Sequence, residues 1–217
     1  MSLDVTQIPL GPYAENCYVV RTAREAAKAV VVDPGWPGSY NEIEGVLGSA
    51  GVAAILITHG DIDHIGGVAE AAKRAGAPVH VPAEEADRLR RINDFVPASV
   101  GPMSFDEYEP DVLLEGTEVL DLAGIRFETI LVPGHTEAHL AFAADGCLFS
   151  GDVLFAGSVG RTDRPNGDWD TLLASIRTLA GRFPPETVVY PGHGPETTLG
   201  RELAANPFLA ELRAAPR

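Results

Sequence analysis

The segment Thr58-His59-Gly60-Asp61-Ile62-Asp63-His64 puts two imidazoles and two carboxylates into six consecutive positions, directly after the apolar run 52–57. Imidazole nitrogen and carboxylate oxygen are the donors that borderline and hard divalent metals take. An exposed acidic loop is the plainer reading of such a segment on its own. Three further turns weigh against it. Ile130-Leu131-Val132 runs into Pro133-Gly134-His135-Thr136, Cys147-Leu148-Phe149 into Ser150-Gly151-Asp152, and Val188-Val189-Tyr190 into Pro191-Gly192-His193-Gly194. Each time a short apolar strand ends in a Gly turn that presents one ligand-type side chain. Gly lets the backbone turn sharply and come close to a bound ion. Four of the six histidines, His59, His64, His135 and His193, lie in these turns.

Such turns are useful only if strands bring them to one sheet edge, where sites are usually built. The pattern predicts a hairpin over 17–21 and 29–33, then the turn cluster Pro34-Gly35-Trp36-Pro37-Gly38. A helix to about Ala50 follows, with Gly51 as its stop. A buried strand at 52–57, a helix at 67–75 ended by Gly76, a strand at 78–81 and a short helix at 83–91 come next. Residues 93–111, rich in Pro, Gly and acidic side chains, read as a loop or lid. Short strands recur at 112–114, 118–120, 125–132, 140–143 and 147–149. The helix 170–182 carries Leu172, Ile176, Leu179 and Phe183 at helical spacing. Hairpins mixed with βα units suggest two sheets covered outside by helices.

The order of these motifs resembles the metallo-β-lactamase superfamily, whose signature is Thr-His-x-His-x-Asp-His, then a His, an Asp and a His. It is most similar to the hydroxyacylglutathione hydrolase (glyoxalase II)-like branch. That likeness rests on Pro133-Gly134-His135-Thr136, the run Ser150-Gly151-Asp152-Val153-Leu154-Phe155, Gly160-Arg161-Thr162-Asp163 and Pro191-Gly192-His193-Gly194. The opening Pro9-Leu10-Gly11-Pro12 with Glu15-Asn16-Cys17-Tyr18 adds to it. The resemblance implies an α/β (α+β) fold, a four-layer αββα sandwich, with residues 1–217 as a single hydrolase domain. It implies two divalent metal ions, zinc or iron/manganese. His59, Asp61 and His135 would hold the first, and Asp63, His64 and His193 the second, with Asp152 between them. Asp63 would also orient the nucleophile. Two metals about 3.5–4 Å apart share and activate one water as hydroxide and stabilise the oxyanion that forms. The implied activity is hydrolysis of a small-molecule thioester or ester.

The sequence departs from the pattern at Asp61, where the family has its second His; Ala138, in place of the usual Gly before His139, is a milder departure. Asp61 has three readings: it ligates as a carboxylate, it falls short because Asp is shorter than His, or it sits behind a ligand and orients it. An anion in place of a neutral imidazole lowers the positive charge of the site. That acidifies a bound water less than an ordinary zinc site does, where its pKa reaches about 7. It also moves preference toward iron or manganese. The expectation is a more alkaline pH optimum than the all-His pattern gives.

Two other classes stay open. Persulfide dioxygenases share the fold and the Gly-Arg-Thr-Asp stretch, and resemblance to them implies one iron on His59, His135 and Asp152, a facial triad with open positions. A non-catalytic metal-binding module is the third reading. Arg161 is a candidate for an anionic substrate group, with a structural salt bridge as the equal alternative. His139 reads as a residue behind the ligands, and His80 as a core or surface histidine. Ser150 reads as a turn residue, since no Gly-x-Ser-x-Gly context surrounds it. Tyr13 and Tyr190 are candidates to approach the metals.

Hydrophobic content of 45%, charged content of 22% and 217 residues fit a globular enzyme domain. A formal net charge of −15 without a basic run argues against nucleic acid as a partner. No apolar stretch reaches the roughly 18 residues of a spanning helix, and Met1-Ser2-Leu3-Asp4-Val5-Thr6 lacks the features of a signal peptide. The expectation is a cytoplasmic enzyme without membrane association. Cys17 and Cys147, in apolar runs without CxxC spacing, read as buried reduced thiols. Full-length glyoxalase II enzymes grip glutathione with basic residues of a C-terminal extension. Here Arg213 and Arg217 are the basic residues after Pro207-Phe208-Leu209, so a thioester or ester other than a glutathione conjugate is an open expectation.

Overall fold

The computed structural model describes residues 3–214; Arg217 and the side chain of Arg213 lie outside the described residues. Two six-stranded sheets carry the fold. The first contains β1 (Asp4–Leu10), β2 (Glu15–Arg21), β3 (Lys28–Val32), β4 (Gly51–Leu56), β5 (Val79–Pro82) and β6 (Val112–Leu114), in sequential order. Strands β1 to β3 are antiparallel, and β3 to β6 run parallel through helical crossovers. The second holds β7 (Val119–Leu122), β8 (Ile125–Leu131), β9 (Leu140–Ala144) and β10 (Cys147–Gly151). Past the small hairpin β11 (Leu154–Phe155) and β12 (Ser158–Val159), it is completed by β13 (Val188–Pro191) and β14 (Thr197–Thr198).

Strict alternation sorts the strands' side chains into layers. Val20, Val30, Val32 and Leu56 point inward and meet Phe127, Leu140, Phe142 and Phe149 of the second sheet. Val19, Val31, Ile55 and Ile57 point outward beneath α1 (Tyr40–Leu47), α3 (Val68–Ala75) and α4 (Ala86–Arg90); α2 (Ile62–Ile65) is a single turn between them. On the far side α5 (Trp169–Arg182) lays Leu172, Leu173, Ile176 and Leu179 on the second sheet, joined by α6 (Leu199–Ala205). Helix, sheet, sheet, helix is the expected four-layer αββα sandwich. Cys17 and Cys147 are buried free thiols on different sheets.

Several boundaries differ from the sequence reading. The first helix stops at Leu47, because Gly48 takes φ +60 and its N–H bonds back to Glu44 O; Gly51 instead opens β4. Strand β1 carries no clear alternation and contains Pro9, which an edge strand tolerates. The segment 93–111 contains short 3-10 turns rather than a free lid. Asn93 bonds Phe105 through both its amide nitrogen (3.0 Å) and its oxygen (2.9 Å), and the buried Phe105 ring meets Trp36 edge-on.

Candidate metal centre

All four Gly turns end at the same edge of the sandwich, as the fold requires of strands that share a direction. His59 follows β4, Asp61 caps α2, and α2 itself carries Asp63 and His64. His135 follows β8, Asp152 follows β10 and His193 follows β13. Two triads result: His59, Asp61 and His135, and Asp63, His64 and His193. Asp61 Oδ2 lies 3.7 Å from His59 Nε2 and 3.2 Å from His135 Nε2. Asp63 Oδ2 lies 3.2 Å from His193 Nε2. Asp152 stands between the triads: Oδ1 is 3.5 Å from His64 Nε2, and Oδ2 is 3.7 Å from His135 Nε2 and 3.6 Å from His193 Nε2.

His59 Nε2, His64 Nε2 and Asp152 Oδ1 are buried and have no hydrogen-bond partner. Orphaned groups of this kind normally destabilise a fold, and a shared cation would remove the deficit. The donor set of four imidazoles and three carboxylates fits two divalent ions.

The histidines are aimed by what stands behind them. Asp33, at the end of β3 with φ +47, accepts the Thr58 N–H at Oδ1 (2.8 Å). Its Oδ2 accepts both the Thr58 hydroxyl (2.7 Å) and His64 Nδ1–H (2.9 Å). His59 Nδ1 donates in turn to Thr58 Oγ1 (3.0 Å), so one carboxylate sets the tautomer of two histidines. His135 Nδ1 donates to the Arg161 carbonyl (2.8 Å). Each Nε2 lone pair is thereby left facing the centre.

Asn16 holds the turn that carries His193. Its side-chain amide donates to Pro191 O (2.9 Å) and Gly194 O (2.8 Å), its N–H to Gly192 O (2.7 Å), and the Tyr18 hydroxyl also reaches Pro191 O (2.6 Å). Gly192 must be glycine here: a Cβ would sit 2.2 Å from Asp152 Oδ1 and 2.8 Å from His64 Cε1. Glu15 is fully buried beside His64, with Oε1 3.6 Å from Nδ1, and neither of its oxygens has a hydrogen-bond partner. Burial, then the surrounding carboxylates against the opposing pull of His64, pushes the Glu15 carboxyl well above its usual range.

The charged groups of the centre shift one another's ionisation. Burial opposes ionisation of Asp61, but hydrogen bonds from His135 and His59 keep its carboxyl far below the ordinary range. Asp152 is likewise held low by His64, His59 and His135 against burial. Against their own burial, Asp152 and Asp33 raise His64, and Asp61 and Asp152 raise His135. His139 behaves differently. Its ring stacks on His59 with centroids 4.6 Å apart, its Nε2 accepts the Asp152 N–H at 3.0 Å, and burial drives it well below the usual imidazole value. It is a neutral wedge behind the ligands that fixes the Asp152 backbone.

The remaining candidates lie apart. The Arg161 guanidinium is bound to Asp163 (2.7 and 2.8 Å) and exposed; only its carbonyl serves the centre. The arginine that reaches Asp61 is Arg164, whose Nη1 contacts Oδ2; Arg88 Nη1 lies 3.9 Å from Oδ1. The buried Ser150 hydroxyl donates to Leu154 O at 3.1 Å. Tyr190 stacks on Phe149, exposed Tyr13 lies edge-on to Trp36, and His80 is buried on β5. Asp33, Glu15, Asn16, Arg88 and Arg164 are the residues around the centre to which the sequence alone gave no role.

An αββα sandwich with a paired His/carboxylate centre at one sheet edge defines a class of metal-dependent proteins. The family model of the metallo-beta-lactamase superfamily matches residues 10–193, and the chain belongs to that superfamily. It is 32% identical over 213 residues to the hydroxyacylglutathione hydrolase GloC of Haemophilus influenzae, covering 95% of this chain and 98% of that protein. Two solved structures are similar throughout. One is the BLEG-1 B3 metallo-beta-lactamase (TM-score 0.86, 35% identity, 95% of this chain and 100% of that one). The other is TTHA1623 in a di-iron-bound form (TM-score 0.81, 34% identity, 94% and 100%). Among the described residues no helix is long and apolar enough to cross a membrane.

Proposed function

We propose that this protein is a dinuclear metal-dependent hydrolase of small-molecule thioesters or esters, of the hydroxyacylglutathione hydrolase-like kind. One observation carries the reading: the buried, unpartnered His59 Nε2, His64 Nε2 and Asp152 Oδ1 belong to two complete triads joined through one carboxylate. When bound, two divalent ions supply a strongly acidified water and a Lewis acid for a carbonyl oxygen. The chain's own groups do the rest. Asp33 and the Arg161 carbonyl keep His59, His64 and His135 in the ligating tautomer. Asp63, half-buried at the cleft, is the group assigned here to orienting the attacking nucleophile. The likeness to the Haemophilus hydrolase supports a thioester. The di-iron form of TTHA1623 and the carboxylate at position 61 support iron or manganese beside zinc. A net charge of −15 favours a small-molecule substrate over nucleic acid.

The test is metal analysis of the purified protein, followed by thioester turnover with the zinc-, iron- and manganese-loaded forms. About two ions per chain and thioester cleavage that is lost in His64→Ala are expected. Close to one iron, no thioester turnover and oxygen uptake with glutathione persulfide would overturn it in favour of the mono-iron dioxygenase reading.

A further inference from the structure

A cleft of 440 Å³ opens directly onto Asp61, Asp63 and His135. One wall is apolar, built from Ile62, Phe95, Pro97 and Pro165, and the cations lining it are Arg88 and Arg164. The two arginines come from separate parts of the chain, α4 and the loop before α5, yet they meet on the two oxygens of one carboxylate, Asp61. Their commitments differ. Arg88 is anchored, with Nε 3.1 Å from Glu85 Oε2 and its guanidinium over the Phe95 ring at 5.0 Å. Glu85 is itself fixed, accepting the Gly60 N–H at 3.2 Å. Arg164 is half-exposed, and Asp61 is its one ion-pair partner among the described residues.

A divalent ion held by the first triad would draw on Asp61, the carboxylate that Arg164 contacts. The guanidinium then has no anion of its own beside the reacting centre, and it is planar, permanently charged and shaped for a carboxylate. Resting on the thioester or ester reading above, we propose that Arg164, backed by Arg88, is a specificity-determining residue of this cleft. It selects substrates that carry a carboxylate a short chain away from the scissile carbonyl. Asp61 holds the guanidinium in place until the metal and the substrate arrive. The carboxylate can belong to the acyl half or to the thiol half of a thioester, and the same chemistry recognises both.

Equilibrium binding of unreactive thioethers to the metal-loaded protein tests this independently of turnover. The probes are S-butyl-N-acetylcysteamine, which is neutral, S-(3-carboxypropyl)-N-acetylcysteamine, with its carboxylate in the acyl position, and S-butyl-N-acetylcysteine, with it in the thiol position. One carboxylate probe is expected to bind roughly ten- to hundredfold tighter than the neutral one, the range of a charge-assisted hydrogen bond. Which of the two does so identifies the half of the substrate that Arg164 holds. Arg164→Gln should bring the ratio close to one, and Arg164→Lys should restore part of it. Arg182→Gln, on a surface pair with Glu128, should leave it unchanged. A preference that survives Arg164→Gln places the carboxylate on the metal and overturns the proposal, as does equal binding of all three probes. Chelator competition gives a second readout: Arg164→Gln should tighten binding of the first metal severalfold, since the guanidinium no longer competes for Asp61, and unchanged affinity contradicts that competition. Failure of thioester turnover with the binding ratio intact would remove the hydrolase reading and leave the cleft's selectivity standing.

Discussion

Asp33→Asn isolates the role of a side chain that never touches the proposed ions. The substitution keeps size and shape, and Asn tolerates φ +47 as well as Asp does, so backbone strain is not introduced. In the wild type, Oδ1 accepts the Thr58 N–H, while Oδ2 accepts both the Thr58 hydroxyl at 2.7 Å and His64 Nδ1–H at 2.9 Å. With Asn, the retained oxygen stays on the Thr58 N–H and an NH2 group faces the other two. Thr58 can rotate its hydroxyl and accept. His64 can satisfy the new donor only by presenting a bare Nδ1, which moves its proton to Nε2, the atom that must ligate. The net loss is one hydrogen bond to a charged acceptor, about 1.5–3 kcal/mol. Expressed at the second triad, that weakens metal binding by roughly ten- to hundredfold, the usual range for a support residue of this type. Calorimetric titration with zinc should show one site shifted by that amount and the other, on His59 and His135, changed less, because the His59 link runs through Thr58. Two sites of unchanged affinity would refute the tautomer reasoning.

Gly192→Ala should leave the sandwich folded but lower metal stoichiometry, because the new Cβ displaces Asp152 Oδ1 and His64; full loading by elemental analysis would contradict this. Asp61→His should shift preference toward zinc over iron and manganese, read by competitive loading, and an unaltered ratio speaks against Asp61 as a ligand. Burial opposes ionisation of Glu118, but the Thr129 hydroxyl and three backbone N–H groups hold its carboxyl down at about 2. A depressed carboxylate stabilises the fold above its unfolded pKa of about 4.3, and that contribution is lost as pH falls toward 2. Glu118→Gln should therefore lower stability by about 1 kcal/mol at pH 7 after solvent screening. The gap to wild type in urea melts should close between about pH 4 and pH 2, and a gap that persists at pH 2 would contradict the assignment.

Sheets covered by helices were legible because hairpins and βα units follow one another and the helices announce their ends, while the specific αββα sandwich came from the resemblance of the motifs. Gly76 takes the left-handed conformation at the end of α3, and Asp168 caps α5 by accepting the Thr171 N–H. Strand β1 was not, since its pairing with β2 fixes it while its own sequence has no marked period. The candidate ligands His135, Asp152 and His193 stood out through their shared form, an apolar strand and a Gly turn bearing one donor. Asp33 has the same form, Val30-Val31-Val32-Asp33-Pro34-Gly35, so applying the rule once more would have found it. Glu15 and Asn16 entered the sequence reading only as part of the family-like opening, because their roles come from contacts distant along the chain, Glu15 with His64 and Asn16 with Pro191. Arg164 was equally hidden: the sequence favours its neighbour Arg161, and only the turn of the loop decides which guanidinium faces the cleft.

Arg164 also changes what Asp61 does to the chemistry. The ligand set, with four neutral imidazoles and three carboxylates, carries −3; a His at position 61 would leave −2. Two divalent ions bring these to +1 and +2. By that count alone an acid at this centre, a bound water included, ionises at higher pH than in the all-His pattern. Arg164, however, lies beside Asp61 and returns one positive charge at short range whether it rests on that carboxylate or turns into the cleft, while the charge of Arg88 is met by Glu85. The single charge of Arg164 offsets the extra anion at position 61 by Coulomb attraction at a distance of a few ångströms. The alkaline displacement expected from the ligand change should therefore be small in the wild type and emerge when Arg164 is neutralised. The acid limb of kcat/KM for a neutral thioester should move upward by a few tenths of a pH unit to about one unit in Arg164→Gln. If the limb does not move, Arg164 lies too far from the reacting atoms in the loaded protein to influence their ionisation. If it moves downward, the charge balance at Asp61 has been assigned with the wrong sign.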